Sequence, residues 1–134
     1  MAITLNNHVF KGHKTLLGSK FVTYGELELP LRSDIHEITT HGFDWGNNSK
    51  SAQQLAFSML YQLSNKDVAI EATQKFTEEI IKSLNSRDWV ISASEILKWL
   101  EKNSQLFVTT NQNSLQKDEP KLKSNSTKKN KKQM

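Results

Sequence analysis

The C-terminal end of the chain limits where a hydrophobic core can form. After Val108 the sequence runs TTNQNSLQKDEPKLKSNSTKKNKKQM and contains few apolar residues. Such a segment cannot bury enough apolar surface to offset the conformational entropy that it would lose on ordering. We therefore predict a single folded domain over residues 1–107, which is long enough to bury a core without cross-links, and a disordered lysine-rich tail over residues 108–134.

These two parts of the chain differ in charge. Residues 1–111 carry 11 Lys and Arg against 12 Asp and Glu, whereas residues 112–134 carry seven Lys against two acids. Each tail lysine could neutralise one phosphate, which predicts weak, salt-sensitive binding of nucleic acid; the alternative is a solubilising tail without a partner. The seven tail lysines are Lys117, Lys121, Lys123, Lys128, Lys129, Lys131 and Lys132.

Two absences in the sequence exclude whole classes of protein. The chain has no cysteine, which excludes disulfides, thiol catalysis and cysteine-rich zinc sites. It has no run of about 18 apolar residues, and its first ten residues, MAITLNNHVF, lack the basic and apolar segments of a secretory signal. We therefore expect a cytoplasmic protein with no membrane partner.

The first 45 residues have the pattern of strands and loops. Val9-Phe10 and the segment 21–24 are rich in β-branched and aromatic residues, and glycines separate them. Leu27, Leu29 and Leu31 then alternate with other residues, which is typical of a half-buried strand. Residues 34–37 have the spacing of a capped helical turn, with Asp34 and Glu37 at its ends.

A central helix is predicted over residues 51–63. Ser51 and Gln54 have the spacing of a capping box at its start. Apolar residues cover most of its circumference, which indicates a position inside the fold. These apolar residues are Ala52, Leu55, Ala56, Phe57, Met59, Leu60, Tyr61 and Leu63.

Two further helices are predicted over residues 66–84 and 93–102. The longer one has an apolar residue at every fourth position: Val68, Ala72, Phe76, Ile80 and Leu84. The shorter one begins at a capping box formed by Ser92 and Glu95, and residues 89–91 before it form a candidate strand. The patterns together predict an α+β fold in which a small antiparallel N-terminal sheet packs against two longer helices and a short third one.

The loop from Gly42 to Ser51 is the candidate binding site. It leads directly into the central helix, and the N-terminus of a helix presents free N–H groups that can hold a phosphate. The spacing is not that of a P-loop or a dinucleotide fingerprint. The alternative is a structural connection in which Phe43 and Trp45 fill the core. The candidate residues for a ligand or a partner are Asp44, Trp45, Asn47, Asn48, Ser49 and Lys50.

The segment GFDWGNNSKSAQQLAFSML resembles the signature of a small uncharacterised domain family found in bacterial, phage and plasmid genomes. In that family a Gly-Phe-acidic-Trp-Gly loop opens a helix. The residues that carry the resemblance are Gly42, Phe43, Asp44, Trp45, Gly46, Gln54, Leu55 and Ala56, followed by Phe76, Trp89, Ile96, Trp99 and Leu100. It covers roughly residues 9–102. It implies a fold and a genomic setting but no reaction, and Asn47, Asn48, Ser49, Ser51 and Ala52 depart from the glycine-rich family pattern.

No catalytic motif is recognisable in the sequence. There is no Ser-His-acid elbow and no HExxH pair among the residues. The four histidines are His8, His13, His36 and His41; the last two lie five residues apart with acidic residues nearby, but a metal site needs a convergence that spacing alone does not show. We therefore predict no catalytic residue, no metal and no cofactor. The leading hypothesis is a non-enzymatic interaction or regulatory protein, borne by a mobile element, that binds another protein in a host or phage protein machine. The alternatives are a weak nucleic-acid binder acting through the tail and a small-molecule site at the Gly42–Ser51 loop.

Overall fold

The computed structural model describes residues 8–110, and these belong to two compact units, Met1–Ser104 and Gln105–Met134. The first unit contains the sheet and the helices described below. In the second, residues 105–110 are helical. The predicted tail begins inside this helical segment, and its seven lysines lie outside the described residues.

The sheet has four antiparallel strands in the order β3-β2-β1-β4. They are β1 (Val9–Lys14), β2 (Lys20–Tyr24), β3 (Leu27–Glu28) and β4 (Asp88–Ser92). The last strand comes from the chain after the two longer helices and pairs with β1. The predicted α+β class, with its small antiparallel sheet, is therefore confirmed, and the candidate strand at residues 89–91 is the strand that completes the sheet.

The two faces of the sheet differ in exposure. Phe10, Val22 and Trp89 are buried on one face. On the other face, Phe21 and Val90 are exposed. This alternation follows from the period of two in a strand, which places successive side chains on opposite faces.

The predicted third strand is much shorter than its leucine pattern suggested. Only Leu27 and Glu28 form β3; Leu27 is 76% exposed, whereas Leu29 is 3% exposed. The N–H of Leu29 still donates to the carbonyl of Val22 (2.9 Å), but Pro30 follows and has no N–H to continue the ladder. A single turn does form near residues 34–37, but it begins earlier than predicted: the carbonyl of Arg32 accepts from the N–H groups of Ile35 and His36 (3.1 Å each).

Helix α1 (Lys50–Leu63) is the central element, as its apolar pattern predicts. It begins one residue earlier than expected, because Ser49 is the N-cap and its Oγ accepts from the N–H of Ala52 (3.2 Å). The predicted capping box at Ser51 and Gln54 was wrong. Gln54 is fully buried and uses its amide group elsewhere: Oε1 accepts from the N–H groups of residues 38 and 39, and Nε2 donates to the carbonyls of residues 31 and 36.

Helix α2 (Lys66–Phe76) ends in a π turn, Thr77–Ile81. The N–H of Lys82 donates to the carbonyl of Thr77 (2.8 Å), five residues back. This wider turn adds a residue between inward positions, so the buried stripe passes from Phe76 to Ile81 and leaves Ile80 half-exposed. The regular four-residue stripe that was predicted to reach Leu84 therefore stops at Phe76.

Helix α3 (Ala93–Asn103) begins at the capping box that the sequence predicts. The Oγ of Ser92 accepts from the N–H of Glu95 (3.0 Å), and the carboxylate of Glu95 accepts from the N–H of Ser92 (2.8 Å). Trp99 meets the ring of Phe76 edge-on, with centroids 5.0 Å apart, which joins α3 to α2. No helix in the described part of the chain is long and apolar enough to cross a bilayer.

Candidate functional site

The Gly42–Ser51 loop is tied to the π turn by a close backbone contact. The N–H of Gly46 donates to the carbonyl of Ile81 (3.0 Å). Gly46 has a φ of 81°, and a Cβ atom there would lie 2.9 Å from the carbonyl oxygen of Leu84. Both the backbone angle and the lack of space require glycine at this position. The loop is therefore fixed against the segment that leads into β4.

The carboxylate of Asp44 organises the loop. It accepts from the N–H of Trp45 (2.8 Å) and from Nδ2 of Asn47 (3.1 Å), and it pairs with the ammonium group of Lys20 on β2. Burial acts to raise the pKa of Asp44, but the hydrogen bonds from Lys20, Asn47 and the backbone of Trp45, together with the charge of Lys20, hold that pKa below its usual value. Asp44 is thus an ionised structural anchor between the loop and the sheet.

Trp45 is part of the core: it is 5% exposed. Its indole N–H donates to the carbonyl of Ser86 (3.0 Å), and its ring stands edge-on to Trp89 with centroids 5.4 Å apart. The Nζ of Lys20 lies 5.5 Å from its ring centroid, within the range of a cation–π contact. Trp45 therefore fills the core, as the structural interpretation of the loop predicts, and it also lines a cavity.

The remaining candidate residues of the loop are engaged within the protein, except one. Asn47 accepts from the N–H of Ser49 (2.9 Å), and Asn48 donates to the carboxylate of Glu78 (3.1 Å). Ser49 caps α1, as described above. Lys50 is exposed at the first position of α1. Of the side chains that the sequence offers for an anion at this helix, Asn48 and Ser49 therefore already have partners within the protein, whereas Lys50 is exposed.

A cavity of about 300 Å³ opens beside Trp45, and we call it the cation pocket. Its lining residues are Lys14, Lys20, Trp45, Gly46, Leu84, Asn85, Ser86 and Arg87. Three of them are cations from three places in the chain: the end of β1, the start of β2 and the segment before β4. Sequence reasoning missed these cations because they meet only once β1 has paired with both of its neighbours.

The turn between β1 and β2 forms a second feature, which we call the tip surface. It is lined by His13, Lys14, Thr15, Leu16, Leu17, Ser19, Phe21 and Arg87. Leu16 is 93% exposed and Leu17 is 97% exposed. Hydrogen bonds close the turn: the N–H of Gly18 donates to the carbonyl of Thr15 (3.0 Å), and the N–H of Thr15 donates to the carbonyl of Ser19 (2.8 Å). The turn therefore presents both leucines to solvent on an ordered backbone.

Among the histidines, His13 and His36 have different side-chain partners. His13 contacts the carboxylate of Asp88 across the β1–β4 pair (2.5 Å), on the exposed face of the sheet. His36 packs on the ring of Phe57, with centroids 5.1 Å apart. Within residues 8–110 no three His, Asp or Glu side chains converge in a way that could hold a metal ion.

The segment that forms these features matches one known family. Residues 10–102 match a family of unknown function, DUF6166. The chain belongs to this family. No curated protein and no solved structure matches it. The DUF6166 region contains the Gly42–Ser51 loop, the cation pocket and the tip surface, whereas the lysine-rich tail lies beyond its end.

Membership in DUF6166 confirms that the sequence resemblance to an uncharacterised domain family was correct at this level. The expected extent, residues 9–102, agrees with the matched extent to within one residue. No reaction and no ligand is assigned to the family. The surfaces of this DUF6166 protein are therefore the basis for a proposal about its function.

Proposed function

We propose that this DUF6166 protein is a non-enzymatic interaction protein whose tip surface binds an acidic segment of another protein that also carries apolar side chains. The observation that carries the proposal is the exposure of Leu16 and Leu17 at an ordered turn. Transfer of one leucine side chain from water into an interface contributes about 1.5–3 kcal/mol. Two neighbouring leucines held on a rigid backbone therefore form an anchor for a partner.

The charges around the leucines favour an acidic partner. The stretch from Lys11 to Lys20 contains three lysines and no acid. Lys20 is neutralised by Asp44, and Asp88 faces His13. Within the described residues Lys11, Lys14 and Arg87 form no ion pair with a carboxylate. Complementary charge steers a partner toward a surface and fixes its orientation.

A structural use of the loop side chains supports a role without catalysis. The polar groups of Asp44, Asn47 and Ser49 hold the loop and start α1, so each already has a defined partner. These contacts give each of the three side chains a structural role in the loop. The structural role of the Gly42–Ser51 loop is therefore consistent with a protein that acts as a scaffold for a binding surface.

The setting of this interaction belongs to the proposal as well. The resemblance to a family of bacterial, phage and plasmid genomes supports a protein borne by a mobile element that acts in the cytoplasm on a host or phage protein machine. Inspection of the genes beside this one tests the setting: phage or plasmid genes as neighbours support it, and a chromosomal housekeeping operon contradicts it.

The interaction is tested by capture and then by a direct measurement. The full chain captures proteins from a host lysate, the captured protein is purified, and its affinity is measured by calorimetry against the wild type and the double variant Leu16→Ser/Leu17→Ser. We expect a loss of about tenfold or more in affinity. Leu27→Ser is the matched control, because Leu27 is 76% exposed and lies on β3, away from the tip. Equal affinity of the double variant contradicts the proposal.

A second candidate function is weak nucleic-acid binding through the tail. The observation that favours it is the excess of seven lysines over two acids in residues 112–134. Gel shifts of a DNA duplex at two salt concentrations, with the full chain and with a chain whose seven tail lysines are changed to Gln, test this candidate. Binding that weakens with salt and disappears in the Gln variant supports it; retention by the Gln variant contradicts it.

A further inference from the structure

We infer that the cation pocket beside Trp45 is an anion site that takes the phosphate group of a small phosphate monoester. This inference goes beyond the proposed protein interaction, because it concerns a cavity and a small ligand. It also differs from the helix N-terminus that the sequence indicates, since the pocket is lined by side chains of β1, β2 and the segment before β4.

The charge of the pocket favours a dianion. Lys20 is paired with Asp44, whereas Lys14 and Arg87 form no ion pair with a carboxylate within residues 8–110. Two positive charges therefore remain at one cavity. A phosphate monoester carries a charge of about −1.5 to −2 at neutral pH and offers three acceptor oxygens. A single carboxylate would leave one of the two cations without a counter-charge.

The walls of the pocket are fixed before a ligand arrives. The N–H of Lys14 donates to the carbonyl of Arg87 (3.0 Å), and Nη2 of Arg87 donates to the carbonyl of Lys14 (3.0 Å). The aromatic wall is held by the hydrogen bond from the indole N–H of Trp45 to the carbonyl of Ser86 (3.0 Å). A site with fixed walls loses little conformational entropy on binding. Arg87 also keeps N–H donors beyond the one that it gives to Lys14.

The size and the neutral lining of the pocket suit a small ligand. A volume of about 300 Å³ lies at the lower end of the range of ligand sites, which is about 300–1,000 Å³. It accommodates a phosphate and a small organic group rather than a dinucleotide. Asn85 supplies an amide group and Ser86 a hydroxyl group as further polar contacts, and Trp45 supplies an aromatic wall.

The test uses the full chain labelled with ¹⁵N and follows its indole N–H signals by NMR. Inorganic phosphate and a nucleoside 5′-monophosphate are titrated separately, with sodium chloride at matched ionic strength as the reference. We expect the Trp45 signal to move and to saturate. The Trp99 indole, which donates to Glu79 (3.0 Å), serves as an internal control and should stay in place.

Variants then connect the signal to the pocket. Lys14→Gln and Arg87→Gln should each weaken binding by about tenfold or more, because each removes a charged hydrogen-bond donor. Lys98→Gln, on the exposed side of α3, should leave the affinity unchanged. The backbone NMR spectrum shows whether each variant keeps its fold. No saturable change, an equal shift of Trp99, or full affinity in folded Lys14→Gln would overturn the inference.

A short DNA oligonucleotide forms the last arm, because a phosphate can also come from a nucleic-acid backbone. If Lys14→Gln weakens monophosphate binding but not oligonucleotide binding, the ligand is the small ester. If Lys14→Gln weakens the binding of both ligands and the oligonucleotide competes with inorganic phosphate, the pocket binds a phosphate of the nucleic-acid backbone. The Leu16→Ser/Leu17→Ser variant should titrate with phosphate like the wild type, which separates this site from the proposed protein interaction.

Discussion

The indole of Trp89 on β4 lies against Gly12 on β1, its partner in the strand register, and a Cβ atom at Gly12 would lie 2.2 Å from the ring. Gly12 thereby lets the large ring of Trp89 cover the centre of the sheet. Trp89 in turn supports Trp45, and Trp45 forms a wall of the cation pocket. A residue without a side chain therefore sets the position of the candidate site.

Gly12→Ala should destabilise the protein by about 1–3 kcal/mol, because the added methyl group forces Trp89 to move within a packed core. Urea unfolding followed by circular dichroism measures the change. Lys11→Ala is the control. Lys11 is next to Gly12 in the chain, but its side chain is exposed, and a substitution at such a position changes stability by about 0.5 kcal/mol or less. Equal stability of Gly12→Ala and the wild type would show that Trp89 does not lie against β1 in solution.

Gln54→Ala should cost about 2–4 kcal/mol of unfolding free energy. The side chain is fully buried, and its amide joins α1 to the backbone of residues 31, 36, 38 and 39. Its removal takes the amide partner from each of these backbone groups, of which the carbonyl of Leu31 keeps the hydroxyl group of Ser58 (2.6 Å), and opens a small cavity. The neighbouring variant Gln53→Ala loses one hydrogen bond at a half-exposed position and should cost about 1 kcal/mol or less. Similar losses for the two variants would contradict the role assigned to Gln54.

The two predicted capping boxes show where sequence reasoning succeeds and where it fails. Ser92 and Glu95 were identified correctly, because both partners of a capping box lie within one turn of the chain. Ser51 and Gln54 have the same spacing, but Gln54 turns inward to a loop that arrives from earlier in the sequence. A local pattern cannot distinguish the two cases, since the decision is made by tertiary contacts.

The candidate site was also only partly predictable from local sequence patterns. The Gly42–Ser51 loop stood out because its turn residues and its helix start are local signals. The cations Lys14 and Arg87 did not, because only the pairing of β1 with β4 brings them together. The π turn after Phe76 was also missed. A regular helix and a helix with a π turn can have the same apolar residues, and they differ only in one extra residue in the turn.

Asp44 should make stability depend on pH. Its pKa is lowered in the folded state, so its contribution to stability is present above the pKa of the unfolded chain, about 3.9, and is lost as the pH falls through the lower folded value. Urea unfolding of the wild type and Asp44→Asn from pH 7 to pH 3 should show a difference at pH 7 that shrinks toward pH 3. Asp34→Asn, at an exposed carboxylate, is the control. A difference that stays constant over this range would contradict the ionised anchor.

The leucines of the tip surface should contribute almost nothing to folding. Leu16 and Leu17 are 93% and 97% exposed, so Leu16→Ala/Leu17→Ala should change the unfolding free energy by about 0.5 kcal/mol or less. Leu29→Ala removes a leucine that is 3% exposed and should cost about 2–5 kcal/mol. A large loss in the tip variant would mean that these leucines pack in solution and leave the surface unavailable. A small loss, beside the large one for Leu29, would show that stability does not require leucine at the tip and that both side chains are accessible, as the proposed tip surface requires.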